Sequence, residues 1–417
     1  MSGDATRKAE RVKAKSITAL ILAGSFPPRR GGVPQSLAAL CRHFDPARIA
    51  VLTSRDPGGA EADRSLPYPV FRHDRAIRED LASGAPLRLG WGLVRYFGFL
   101  LSVVRRVRPD VIFSFNCGLQ HVASGAALRR LSRIPCVVYV HGEDLPAPGR
   151  LLKKDRLRLP LLGRADLILT NSEFSRRRLE ALGCDAAKTE VISAGIGTEL
   201  FTPGDGAEMR REMGIAADAP VLLTVGRLDF RKGHDMVIAA LPLLLQEFPA
   251  LRYVIVGEGP EREKLAALAR ENRVAERVLF AGFQPDERLP AYYRACDVFV
   301  MHNRTLPNDV EGFGLVFLEA NACGKPVVGG RSGGVAEAVV HGATGFLVEP
   351  DDLQGLVQTL RKLLGDAALR REMGLAGRRR AVEEFSNRGQ AAKMWRLIAG
   401  MRRRPMPGHE RAQAWNS

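Results

Sequence analysis

Short apolar runs separated by longer amphipathic stretches set the rhythm of the chain. Ser16–Ala23, Ile49–Thr53, Asp110–Phe115, Pro135–Val140 and Asp166–Thr170 are rich in aliphatic and β-branched residues and are bounded by Gly, Pro or polar positions. Each predicts a short buried strand. The stretches between them, Val33–Phe44, Trp91–Arg108, His121–Arg133 and Ser172–Leu182, predict helices. Strands apolar on both faces and alternating with helices form a parallel sheet with helices on either side.

The pattern restarts after Thr202-Pro203-Gly204-Asp205-Gly206, which reads as a linker. Strands are predicted at Pro220–Val225, Leu251–Val256, Arg277–Ala281, Asp297–Met301 and Pro326–Gly329. Helices are predicted at Gly233–Phe248, Pro260–Asn272, Gly312–Cys323 and Leu353–Leu364. The expected fold is α/β, with two doubly wound Rossmann-like domains at 16–204 and 205–384. Residues 385–404 are expected to form a C-terminal helix packing back on the first domain. Met1–Ser16 and Pro405–Ser417 read as tails. Open sheets of this kind bind ligands at the C-terminal edges of their strands.

At 417 residues and 46% apolar composition, the chain has enough material for two cores and too much for a disordered one. The formal charge of +16 favours anionic partners: nucleotides, phospholipid headgroups or nucleic acid. Cys41, Cys117, Cys136, Cys184, Cys296 and Cys323 form no CxxC pair and read as free buried thiols in a reducing compartment. No apolar leader precedes the first strand, so the expected location is cytoplasmic, with the inner face of the cell membrane as a peripheral station. The most apolar stretch, Leu89–Val104, is too short for a span and is interrupted by Arg95. Leu89–Arg108 and Leu151–Leu162 mix apolar and basic residues, as an interfacial helix would. A core helix with one basic face is the plainer alternative.

Candidate chemistry concentrates in the second half. In Val225-Gly226-Arg227-Leu228-Asp229-Phe230-Arg231-Lys232-Gly233 a strand runs into a helix through a loop holding Arg227 and Lys232. Two cations beside a helix N-terminus can clamp a diphosphate, Arg as a fork and Lys as a point charge. A solvated basic loop is the alternative. In Asp309-Val310-Glu311-Gly312-Phe313-Gly314-Leu315, which leads to Glu319, the predicted helix is almost wholly apolar. Its lone carboxylate, Glu319, needs a partner, either a neighbouring Arg or a hydroxyl-rich ligand. On one helix Glu311 and Glu319 would stand about 12 Å apart along the axis and roughly 80° apart around it. That spacing exceeds the carboxylate pair of a glycosidase, at most about 9.5 Å, unless Glu311 folds back on its loop.

Gly312-Phe313-Gly314 could direct backbone N–H groups at hydroxyls or phosphate. Gly257 lies in a strand-to-helix turn, and Phe283 and Gln284 follow another strand, where Phe283 could lie against a base. Ser332-Gly333-Gly334 precedes Glu337, for which a structural role is expected. In the first half, Gly31 and Gly32 follow the first strand and precede Pro34, an arrangement suited to anion binding that matches neither GxGxxG nor the P-loop. His141-Gly142 ends another strand. The chain has no Asp-x-Asp, so no catalytic divalent metal and no cofactor beyond the substrate is expected.

Taken together and in order, Gly31-Gly32, His141-Gly142, Gly226-Arg227-Leu228 with Lys232-Gly233, and Glu311 with Glu319 resemble retaining glycosyltransferase family 4 over nearly the whole chain. The resemblance implies the GT-B fold, in which the two domains face each other across a cleft. The first would bind the acceptor and the second the nucleotide sugar. It implies a retaining, metal-independent hexosyltransferase, with Arg227 and Lys232 neutralising the diphosphate and Glu319 holding the ribose. Glu311, with the amides of Phe313 and Gly314, would hold the donor sugar. It further implies that Gly32 approaches the diphosphate, that His141 stands beside the transferring sugar, and that Phe283 and Gln284 border the base. Gly31, Gly226, Gly257, Gly312 and Leu315 complete the expected donor site. Val310–Val340 is similar to bacterial phosphatidylinositol-type mannosyltransferases, which favours GDP-mannose over UDP-glucose; the acceptor stays open among a lipid-linked, a glycan and a small-molecule one. The alternatives are an epimerase or phosphorylase of the same fold, and a non-catalytic protein using Arg150–Arg164 and Arg402–Arg404 on an anionic membrane surface. Nucleic acid is not expected, because aromatic residues do not interleave with the basic ones.

Overall fold

The computed structural model describes residues 17–29, 31–74, 86–146, 153–307 and 309–401. The expected tails, the Arg402–Arg404 run and the first residues of Leu151–Leu162 lie outside these. The seven-stranded sheet has the order β3-β2-β1-β4-β5-β6-β7. Its strands are β1 (Ala19–Leu22), β2 (Ile49–Ser54), β3 (Val70–His73), β4 (Val111–Ser114), β5 (Cys136–Val140), β6 (Leu167–Thr170) and β7 (Thr189–Val191). The six-stranded sheet has the order β10-β9-β8-β11-β12-β13. It comprises β8 (Val221–Val225), β9 (Arg252–Val256), β10 (Val278–Gly282), β11 (Val298–Met301), β12 (Val327–Gly330) and β13 (Gly345–Val348). Pairings such as β1 with β2 and β4, and β8 with β9 and β11, are parallel.

The central strands coincide with the apolar runs to within a few residues. β3, β7 and β13 were not expected, and all three are edge strands. An edge strand needs only one paired side, so it can be short and polar. Val70-Phe71-Arg72-His73 and Thr189-Glu190-Val191 are both.

The chain forms two compact units, one from Met1–Tyr139, Arg156–Ile168 and Ala392–Ser417, the other from Val140–Asp155 and Leu169–Ala391. In the first, β1 is completely buried, and Trp395 of the Asn387–Gly400 helix lies 5.4 Å from the Phe44 ring. In the second, the six-stranded sheet separates two cores. Val221, Leu223, Val225, Phe299 and Met301 enter one, and Leu222, Tyr253, Ile255, Val298 and Val300 the other. This alternation with period two explains why the strands read as unbroken apolar runs. In the run read as a linker, Pro203, Gly204 and Asp205 are exposed, and a Cβ on Gly204 would stand 3.0 Å from Arg294 Nε. All six cysteines are buried, and none is in a disulfide. Among the described residues no helix is long and apolar enough to cross a membrane.

Candidate active site

Glu311 is the hub of a buried polar cluster in the second unit. Its Oε2 accepts hydrogen bonds from Lys232 Nζ at 2.6 Å, Arg231 Nη1 at 2.7 Å and Asn303 Nδ2 at 3.1 Å. The loop after β8 delivers Lys232 and Arg231, the segment after β11 delivers Asn303, and Glu311 comes from the loop before the Leu315–Ala322 helix. These are C-terminal ends of adjacent strands, where a parallel sheet gathers its functional groups. Burial alone would raise the Glu311 pKa, but Lys232 and then Arg231 outweigh it and hold the carboxyl at about 2. Arg231 is also paired with Asp309 at 2.9 Å.

The helix expected over Gly312–Cys323 spans only Leu315–Ala322, with Gly314 as its N-cap. Glu311 therefore sits on a loop, and the 12 Å separation inferred from a continuous helix does not apply. The break follows from backbone geometry, since Gly314 has φ of 94°, outside the helical range. Phe313 is buried and packs on Phe385 at 5.6 Å. Leu315 begins the helix with a half-buried side chain.

Among the described residues no Arg pairs with Glu319. Its Oε2 accepts from the buried Tyr293 hydroxyl at 2.7 Å. Burial raises its pKa, the Tyr293 hydrogen bond opposes this, Asp286 adds to it, and the result is about 7. Arg227 is also unlike Lys232: its side chain is 75% exposed and reaches Asp229 at 3.2 Å. The structure thus joins Lys232 to Glu311 and leaves Arg227 outward-facing.

Gly226 and Gly257 lie back to back, and a Cβ on Gly257 would run into the Gly226 carbonyl oxygen. Phe283 is 45% exposed, and Gln284 Nε2 donates to Ala281 O at 2.8 Å. His141 is buried, and its backbone N–H donates to Asp144 Oδ2 at 3.1 Å. The following Gly142 packs on Gly312 so closely that a Cβ would stand 2.7 Å from Gly312 Cα. Arg178 fixes this His-Gly loop by donating to the carbonyls of Gly142, Leu145 and Pro146 at 3.1, 3.1 and 2.9 Å. Glu337 caps the Glu173–Ala181 helix, accepting from Glu173 N and Phe174 N at 2.7 Å each. In the first unit, Gly31 is the N-cap of the Gly32–Cys41 helix, and a Cβ on Gly32 would meet open space.

Sequence reasoning passed over Arg231, Asn303 and Tyr293. Arg231 adjoins Lys232 and could have been weighed with it. Asn303 and Tyr293 have no motif, and only the fold brings them to the two acids. Among the described residues no group of three or more His, Cys, Asp or Glu is placed to hold a metal ion.

Comparison with known proteins bears on this arrangement. Residues 205–380 match the family described as glycosyl transferases group 1, and 30–200 match glycosyltransferase family 4. The chain is 33% identical over 395 residues to the GDP-mannose-dependent alpha-(1-6)-phosphatidylinositol monomannoside mannosyltransferase of Mycolicibacterium smegmatis, covering 92% of this chain and 98% of that one. It is 31% identical over 376 residues to a GDP-mannose-dependent monoacylated alpha-(1-6)-phosphatidylinositol monomannoside mannosyltransferase of Corynebacterium glutamicum, covering 88% and 94%. The crystal structure of Anabaena HepE in complex with UDP and glucose superposes with a TM-score of 0.74 at 25% identity, covering 92% of this chain and 99% of that one. The chain belongs to glycosyltransferase family 4 and is a glycosyltransferase built on the GT-B fold.

Proposed function

We propose that this enzyme transfers mannose from GDP-mannose to a lipid-linked inositol glycan, with retention of configuration and without a divalent metal. The observation that carries the reading is Lys232, a largely buried cation at the C-terminal edge of the six-stranded sheet, 2.6 Å from Glu311. Charge develops on the diphosphate as the glycosidic bond breaks, and a cation fixed where that charge appears lowers the barrier. Lys232 supplies the point charge, and the exposed Arg227 swings in as a fork. Glu311 accepts hydrogen bonds from the donor sugar, and Glu319 holds the ribose. His141 lies beside the transferring sugar, and Gly31 and Gly32 approach the diphosphate. The donor and acceptor follow the relatives from Mycolicibacterium smegmatis and Corynebacterium glutamicum, whose names specify GDP-mannose and phosphatidylinositol monomannoside. Such an acceptor places the reaction at an anionic membrane surface, on its cytoplasmic side.

UDP-glucose is the second reading, favoured by the HepE complex with UDP and glucose. A donor screen with purified protein separates the two. GDP-mannose is expected to be preferred by at least about tenfold in kcat/KM. The reverse preference replaces the donor, and isomerised sugar nucleotide without an acceptor makes the enzyme an epimerase.

A further inference from the structure

The loop that carries Arg227 and Lys232 ends on a histidine that the reaction outlined above leaves without a task. His234 opens the His234–Leu244 helix and is 1% exposed. Its Nε2 stands 3.1 Å from Arg227 O, and its Nδ1 stands 3.4 Å from the Tyr253 hydroxyl. That hydroxyl lies 2.8 Å from Thr224 Oγ1, and Tyr253 and Thr224 are both completely buried. Burial lowers the His234 pKa, the Arg227 carbonyl opposes this, Lys232 adds to it, Asp235 and Asp229 oppose it, and the result is about 4. The ring is therefore neutral at physiological pH and carries a single N–H. A carbonyl has no proton to give, so that N–H belongs to Nε2 and donates to Arg227 O.

We infer that His234 is a positioning residue: it pins the main chain of Arg227, so that the guanidinium swings onto the diphosphate from a fixed pivot. Gly226 N and Leu228 N donate to Val256 O and Glu258 O at 2.9 and 3.0 Å, which lays the start of the loop along β9. Within the loop, Asp229 N donates to Arg227 O at 2.9 Å and Lys232 N to Asp229 O at 3.0 Å. His234 adds the tie between the two ends. It joins Arg227 to the helix that follows Lys232, through a ring seated against Tyr253 of β9. The Arg227 side chain is 75% exposed, so its order in the bound state starts from the main chain. A long side chain loses rotamer freedom when it binds, and a loose pivot would add main-chain freedom to that loss. The inference rests on the diphosphate role proposed above for Arg227 and Lys232.

The test is calorimetric titration of the full-length protein with GDP, GMP, UDP and UMP. The readout is the ratio of monophosphate to diphosphate Kd for the base that binds more tightly. A histidine that served packing alone would leave that ratio unchanged. His234→Asn puts its amide near the Nδ1 position and falls short of Arg227 O, whereas His234→Gln reaches the Nε2 position. His234→Asn should lower the ratio by about tenfold, and His234→Gln should keep most of it. In an Arg227→Ala background His234→Asn should lower it no further. A wild-type ratio in His234→Asn, or an equal loss with and without the Arg227 side chain, would overturn the inference. Histidine-labelled NMR of the wild type gives a second readout. The Nε2–H tautomer is expected, and the Nδ1–H tautomer would remove the bond and the inference with it. Arg227→Ala with the wild-type ratio would instead contradict the diphosphate role proposed for Arg227, and the inference would fall with it.

Discussion

Lys232 Nζ stands 2.6 Å from Glu311 Oε2, with both side chains about an eighth exposed at 13% and 12%. The cation proposed for the phosphates is thus neutralised by the acid proposed for the sugar. A bound diphosphate must compete with Glu311 for Lys232. Arg231 and Asn303 donate to the same carboxylate oxygen, so Glu311 would stay anchored if Lys232 turned to the donor as proposed. On that proposal Arg231 would be a positioning residue.

Arg231→Gln should therefore lower kcat/KM by about tenfold to a hundredfold, or about 1.4–2.8 kcal/mol. Arg231→Lys should recover part of it. Glu311 ionises at about 2 against an ordinary 4.5. Its ion pairs stabilise the fold fully above the ordinary value and lose that contribution as pH falls toward 2. Removing one cation should raise the carboxyl pKa and shift the acid limb of thermal stability upward, which melting curves at a series of pH values will register.

Donor binding should depend on pH through Glu319. Its pKa of about 7 lies above the ordinary 4.5. The carboxylate that would accept ribose hydroxyls forms only as pH rises through 7, so donor KM should fall over that window. The same shift destabilises the empty protein as pH rises from 4.5 to 7, because the folded state then holds a proton the unfolded chain has released. Glu319→Gln should flatten the KM profile. Tyr293→Phe removes the hydrogen bond that lowers the pKa and should move its midpoint to higher pH.

Two glycines separate packing from ligand approach. Gly142→Ala places a methyl 2.7 Å from Gly312 Cα and should destabilise the protein by about 1–3 kcal/mol while displacing the His141 loop. Gly32→Ala meets nothing within 4 Å and should leave the melting temperature nearly unchanged. If a phosphate approaches there, Gly32→Ala will raise donor KM. Melting temperature and KM measured together distinguish the two.

Glu337→Gln tests a purely structural carboxylate. It accepts two backbone N–H groups at the start of the Glu173–Ala181 helix, and losing its charge should cost about 1 kcal/mol. Denaturant unfolding should show the loss, with donor KM unchanged.

Much of this architecture is legible in the residues. The interior strands read clearly because both faces are buried, as with Val221–Val225. Edge strands such as Val70–His73 escape because half of each can be polar. Gly226, Lys232, Glu311 and Glu319 stand out because glycines and lone charges are unusual beside apolar strands and helices. Their partners do not. Tyr293 looks like an ordinary core aromatic, and its hydroxyl meets Glu319 only through the tertiary fold. The run from Gly312 reads as helix because its composition is apolar, whereas the φ of Gly314 delays the helix to Leu315.

The most direct test is transfer of labelled mannose from GDP-mannose to phosphatidylinositol monomannoside by the wild type and by Lys232→Ala. The expected result is a labelled lipid product that wild type forms and Lys232→Ala forms at least about a hundredfold more slowly. Transfer by Lys232→Ala within about twofold of wild type would contradict the role given to the Lys232–Glu311 pair, and an unlabelled lipid from wild type would contradict the proposed reaction itself.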